Sequence, residues 1–203
     1  VKLTAGVILQ DAAFRIRAQL LDHHTPVLAY AFEPVKEINI RKDYLQSHGL
    51  KPGPWLAMLK KHLLAENDTA VITLPNGTVT QVAEIAAELA LIKPGKKLIY
   101  ATDLADTPDN RQHLQALAQY AHTLFCEARF IEADVEQAVQ TGHLTARACG
   151  EIAMAAEVAR LIPFHFSQRY ADKLPQVYDE VHAACSRVVM PPSWQHVTIT
   201  STY

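Results

Sequence analysis

Five residues of this chain carry side chains suited to metal-assisted hydrolysis, and most of them follow short apolar runs. His23 follows FRIRAQLLD, Asp103 follows LIYAT, Glu127 follows TLFC and His165 follows LIPF, while His143 lies in GHLT just ahead of an alanine-rich stretch. Neutral imidazole and carboxylate are ligands that zinc and manganese use, and an aspartate between two metals can bridge them. Paired metals lower the pKa of a bound water and hold both the attacking and the leaving oxygen of a phosphodiester. A histidine beside them can protonate the leaving oxygen. The chemistry to expect is therefore hydrolysis of a phosphodiester or ester.

The elements that must position these groups are legible from periodicity. Phe14 to Leu21 alternates apolar and polar residues as a half-buried strand does, and Val27 to Phe32 resumes as a second strand after Thr25-Pro26. Asp22-His23-His24 then sits at the bend, and neighbours on an extended chain point to opposite faces, so at most one of the two histidines looks into a given site. Leu98 to Thr102 and Thr123 to Cys126 are compact strands, and Leu161 to Phe166 reads as a strand covered on both faces. A polar residue at the carboxyl end of such a strand is where α/β proteins place ligand-binding groups. Thr145 is a helix cap, followed by a narrow small-residue stripe of Ala146, Cys149, Ile152, Ala153, Ala156 and Ala159. Further helices are predicted over Thr107 to Ala121, Asp134 to Gln140 and Leu174 to Ala184, with a hairpin from Ala70 to Val82 turning at Asn76-Gly77. Ile85 to Ile92 is apolar and alanine-rich, Lys93 to Lys97 reads as a loop, and the tail from Pro191 as a last edge strand.

Composition narrows the class. The 203 residues suit one sizeable core, and 49% hydrophobic with 20% charged residues describe an ordinary soluble globular protein. A formal net charge of −2 gives no global basic field, so any nucleic-acid contact must come from a local patch. Cys126, Cys149 and Cys185 lie far apart without CxxC spacing, which fits a reducing, cytoplasmic setting better than a disulfide framework. No long apolar run and no charged-then-apolar leader is present, so neither a membrane span nor a signal peptide is expected.

Residues 33–67 differ from the rest. They set Lys36, Arg41, Lys42, Lys51, Lys60 and Lys61 against only Glu33, Glu37, Asp43 and Glu66, and KPGPWLAMLKKH reads as a Pro-Gly turn leading into a short amphipathic helix. Such a segment is a candidate local basic patch, with ordinary solvated lysines as the alternative.

GHLTA followed by the small-residue helix and HFSQRY, together with LDH-x-x-P-x-x-x-Y from Leu21, resembles ribonuclease Z. The resemblance implies an α/β fold, a metallo-β-lactamase-like αββα sandwich of which these residues form mainly the C-terminal half. They are read as one domain over 1–203, or the C-terminal portion of one, with an inserted basic Gly-Pro arm at 33–67. It implies metal ligation by His23, Asp103 and His165, with Asp103 as the bridge, and a catalytic His143 oriented by Glu127. It implies two Zn2+ per complete site, with Mn2+ as the other possibility, and precursor tRNA cut at its 3' end. Lys51, Gly53, Pro54, Lys60 and Lys61 would then contact RNA, and a homodimer would form in which one subunit's arm serves the other. The chain departs from the family in two places. Cys126-Glu127-Ala128-Arg129 stands where His-Glu-Ala-Thr is usual, and the principal His-x-His-x-Asp-His motif upstream is missing. A chain starting at Val1 with half a metal site is expected to be cut from a longer protein, with weak metal binding and negligible turnover on its own. The alternatives are another hydrolase of the same fold, or a fragment that binds RNA or a partner without doing chemistry.

Overall fold

The computed structural model describes residues 6–191. The chain divides into two units, one of residues 1–8, 16–32 and 97–203, the other of residues 9–15 and 33–96. Strands β1 (Val7–Gln10), β2 (Phe14–Asp22) and β3 (Pro26–Pro34) open the chain, as the alternation over Phe14–Leu21 and Val27–Phe32 predicts.

The second unit contains β4 (Lys36–Ile40), α1 (Lys42–Ser47), α2 (Pro54–Leu64), β5 (Val71–Thr73), β6 (Val79–Gln81), α3 (Val82–Leu89) and β7 (Ala90–Pro94). Residues 33–67 are thus folded, within a unit that continues to residue 96. Its core is Ile38, Leu45, Leu50, Trp55, Leu59, Leu63, Ile72, Val82, Ile85 and Leu89 with their neighbours. β5 and β6 form the predicted hairpin. Lys93 and Pro94, read from the sequence as loop, instead pair with Glu37 and Lys36 as β7 lies antiparallel to β4. A lysine and a proline hide the end of the strand because its side chains are exposed and only its backbone does the pairing.

In the first unit β8 (Leu98–Ala101), β9 (Thr123–Glu127) and β10 (Leu161–Phe164) complete a six-stranded sheet of order β1-β2-β3-β8-β9-β10. β8 is antiparallel to β3, whereas β8, β9 and β10 run parallel to one another. Parallel strands need crossovers. These are α4 (Pro108–Ala118) between β8 and β9, and α5 (Val135–Thr141) with α6 (Ala146–Ala155) between β9 and β10, followed by α7 (Leu174–Ala184). Ala29, Ala31, Ile99, Ala101, Leu124, Cys126 and Leu161 point inward, against Leu114 and Leu117 of α4, Ile152 of α6 and Val177 and Val181 of α7.

The opposite face of the sheet is apolar yet open. Tyr30 and Tyr100 are paired across β3 and β8 and are 39% and 48% exposed, Leu28 and Phe32 are exposed beside them, and the Tyr100 ring lies 5.1 Å from that of Phe164. Burial of β10 on both faces, expected from its apolar run, therefore holds on one face only: Leu161 and Pro163 are buried while Ile162 and Phe164 are half-buried. α6 also ends sooner than the stripe to Ala159 suggests. Glu157 takes a left-handed backbone (φ 53°), the Val158 amide turns back to the Ala153 carbonyl, and the Ala159 amide bonds to Ala121. The edge strand expected from Pro191 onward lies outside the described residues. Before it, Arg187 and Val189 hydrogen-bond to Leu161 along β10.

Candidate metal centre

Three parallel strands ending side by side deliver three groups to one sheet edge. Asp103 follows β8, Glu127 closes β9, and His165 follows β10, in the register that pairs Ala101 with Cys126 and Glu127 with Phe164. Asp103 and His165 both adopt left-handed backbone, φ 54° and 61°. For residues other than glycine this costs about 1–3 kcal/mol each and is found where surrounding structure holds a functional group in place. His143 joins them from the turn before α6. Gly142 caps α5 in the left-handed conformation (φ 71°), and the Thr145 hydroxyl accepts the Ala148 amide to start α6, so His143 and Leu144 are fixed between two capped helices. Ligand atoms of Asp103, Glu127, His143 and His165 lie within 4.8 Å of one another.

The four are not equivalent. Glu127 is fully buried, and its carboxylate accepts the amides of Leu104 (3.0 Å) and Leu144 (3.2 Å) and the His143 Nδ1 proton (2.7 Å). Its oxygens are thus occupied within the protein, and its partnership with Nδ1 leaves His143 Nε2 facing the group. Asp103 and His165 are more open, with side chains 39% and 32% exposed, and Asp103 Oδ1 is 3.0 Å from His165 Nε2. The same nitrogen is 2.8 Å from Arg129 Nη1.

His23 stands next to the group rather than in it. Its ring centroid is 4.5 Å from that of His143, whose own ring is 5.5 Å from His165. His23 Nδ1 donates to the Gly142 carbonyl at 2.6 Å, which leaves Nε2 with its lone pair. A carbonyl partner of this kind fixes tautomer and ring orientation in metal-ligating histidines. His24, at φ 58°, turns the chain between β2 and β3. The Asp103 carboxylate and His165 Nε2, beside the His143 ring, are oxygen and nitrogen donors of the kind that a divalent transition metal takes.

Two positioning residues escaped the sequence reading. Asn110, buried in the first turn of α4, accepts the Asp22 amide (2.9 Å) and donates to the carbonyls of Asp22 and Ala105 (2.7 Å each), tying the end of β2 to the loop after Asp103. Gly142 is the other, since a Cβ there would meet His24 Cδ2 at 2.9 Å and His23 Nδ1 at 3.1 Å. The sequence showed only that a short predicted helix leads to Gly142, and its approach to two histidines far away in sequence was not visible.

In the second unit, Gly53 is the N-cap of α2 and Pro54 its first residue, while the Lys51 carbonyl accepts the Trp55 indole proton at 3.0 Å. Lys51 and Lys60 line a cleft of about 900 Å3 with an apolar wall of Ile40, Leu45, Leu50 and Leu56, and Lys42 stands at the same rim. Lys61, next along α2, borders a separate hollow with Lys60, Ala57 and Leu64. Lys36, Arg41 and Lys96 are in ion pairs with Glu66, Asp43 and Glu37, whereas among the described residues Lys51, Lys60 and Lys61 form none.

No protein-family model matches the chain. Ribonuclease Z of Crocosphaera subtropica is 30% identical over 167 residues, 82% of this chain and 49% of that protein. Ribonuclease Z of Brevibacillus brevis is 30% identical over 172 residues, 84% of this chain and 50% of that protein. The chain thus spans about half the length of the curated relatives it matches. The solved structure of the metallo-beta-lactamase fold protein YhfI from Bacillus subtilis superposes with a TM-score of 0.51 at 12% identity, over 93% of this chain and 51% of that one, a likeness of fold. On these grounds the chain is a relative of the ribonuclease Z family with a metallo-β-lactamase-like fold.

Proposed function

We propose that this chain supplies part of a metal-dependent phosphodiesterase site that processes the 3' ends of precursor tRNA. The observation that carries the reading is the convergence of Asp103, His143 and His165 on the carboxyl edge of three parallel strands, with Glu127 buried behind His143. Relatives named ribonuclease Z support the reaction class and the RNA substrate. Asp103 and His165 would hold the metal, with His23 beside them. A bound zinc or manganese ion would supply a water of lowered pKa and positive charge for the phosphodiester oxygens. Glu127 holds the Nδ1 proton of His143, so the proton given to the leaving oxygen is a second one, carried on Nε2, and the ring returns to its neutral form still bonded to Glu127. Lys51, Lys60 and Lys61, free of carboxylate partners among the described residues, would contact RNA phosphates along with the Gly53-Pro54 turn. A homodimer and a cytoplasmic setting belong to the same proposal.

The test is incubation of the protein with precursor tRNA bearing a 3' extension, in zinc or manganese. Cleavage next to the mature 3' end, lost in His165→Ala, is expected once the chain is joined to an upstream segment that supplies the missing His-x-His-x-Asp-His ligands, with negligible turnover by the chain alone. The Lys51, Lys60 and Lys61 triple alanine variant should bind RNA more weakly and with a flatter salt dependence. Unchanged RNA affinity in that variant would remove the lysine argument.

A second reading, hydrolysis of another phosphodiester or an ester, is favoured by Cys126 and Arg129 standing where the family has other polar residues. Turnover of bis-p-nitrophenyl phosphate with no cut in precursor tRNA would select it. RNA binding with neither activity would select a non-catalytic role.

A further inference from the structure

Arg129 is the residue of the metal centre that the proposed reaction leaves without a task. Its guanidinium Nη1 lies 2.8 Å from His165 Nε2, and Asp103 Oδ1 lies 3.0 Å from that same nitrogen. A guanidinium only donates and a carboxylate only accepts, so Nε2 meets either Arg129 with its lone pair or Asp103 with a proton, and the shorter contact is the one to Arg129. That lone pair is also the one a metal would need. A divalent cation on His165 and Asp103 would face a second, permanent positive charge a hydrogen bond away. Arg129 and a metal therefore cannot share His165 Nε2.

The position of Arg129 is supported by its surroundings. It follows β9 two residues after Glu127, its carbonyl accepts the Ser167 amide at 3.0 Å beyond His165, and its guanidinium carbon lies 6.0 Å from the Phe130 ring centroid. The Arg129 backbone is thus tied to the loop that carries His165.

Taking the centre as a metal site, as proposed above, we infer that Arg129 is a built-in competitor of the metal. Without metal its guanidinium occupies His165 Nε2 beside the Asp103 carboxylate, and loading the site requires it to swing away. Apparent metal affinity is then lowered by the fraction of molecules in which Arg129 sits on His165. The device keeps the centre charge-balanced until metal arrives, and sets a threshold for loading.

Zinc titration of the purified protein against a fluorescent chelator, at fixed pH, tests this in wild type, Arg129→Gln and Arg129→Ala. Circular dichroism establishes that each variant is folded, and having two substitutions guards against one that is not. Zinc should bind both variants about tenfold tighter than wild type, the gain expected where about nine molecules in ten hold Arg129 on His165. Nitrogen-15 spectra of the metal-free protein should show His165 with its proton on Nδ1 and an Nε2 shift that moves in Arg129→Gln. Equal or weaker zinc binding in the folded variants overturns the competition while leaving the metal site standing. Zinc binding by none of the three proteins overturns both.

Discussion

Glu127 uses both of its carboxylate oxygens to hold three N–H groups, from Leu104, Leu144 and His143, and it does so without exposure to water. Removing it strands two buried amides and the Nδ1 proton. At about 1–3 kcal/mol for each buried group left unpaired, Glu127→Ala should lower unfolding free energy by at least about 2 kcal/mol in urea titration. A loss within error of zero would mean that water takes the place of the carboxylate. Asn110→Ala should cost about 1–3 kcal/mol for the same reason, because Asp22 and Ala105 lose their shared partner. Glu127 was legible in the sequence because it ends an apolar strand. Asn110 was not, because PDNRQ looks like any solvated first turn and only the folded chain shows Asn110 facing Asp22, which precedes His23. Arg129 stood out only as a departure from the family pattern, and its contact with His165 required the register of β9 and β10.

At the scale of elements, Gly150 of α6 is explained by α7. A Cβ on Gly150 would lie 2.6 Å from Ala184 Cβ and 2.9 Å from the Val181 carbonyl. Gly150→Ala should therefore destabilise by about 1–3 kcal/mol through overpacking, despite alanine's better helix propensity, and a melting curve at or above wild type would contradict this packing. On the outer side of α6, Glu151 bonds Arg147 one turn away and Arg111 of α4. Arg147 first, then Arg111, hold its carboxyl below the usual glutamate range. Because the folded pKa is depressed, this contribution is present above pH 4.5 and is lost as pH falls through the folded value. Wild type should thus exceed Glu151→Gln in stability at neutral pH by well under ~1 kcal/mol, since the pair is partly solvated, and the gap should close in acid. A gap unchanged down to acid pH would assign it to packing. These helices were readable because Thr107, Thr145 and the apolar stripes announce them. β7 was not, since pairing with β4 leaves Leu91 and Ile92 exposed.

Taken whole, the described residues form two separate cores, one under the six-stranded sheet and one around α2 and α3, with no buried residue in common. Two cores predict two cooperative units in native-state hydrogen exchange. Amides of β8 and β9 should share one opening free energy and those of α2 another, whereas a single value for all would mean one cooperative unit. The metallo-β-lactamase-like class was legible only through the resemblance carried by GHLTA, HFSQRY and LDH-x-x-P-x-x-x-Y. Half of its layering is what the chain displays, with helices on one face of the sheet and Tyr30, Tyr100, Leu28 and Phe32 open on the other. That bare face could not be read in advance, because an apolar strand looks the same whether one face or both are covered.

The measurement that bears most directly on the proposed metal centre is zinc titration of the purified chain beside its Asp103→Asn, His165→Ala double variant. Binding at the edge of β8, β9 and β10 predicts saturable zinc uptake by wild type and at least a tenfold weaker affinity in the variant. Equal zinc affinity in the two proteins would contradict it and move any metal elsewhere.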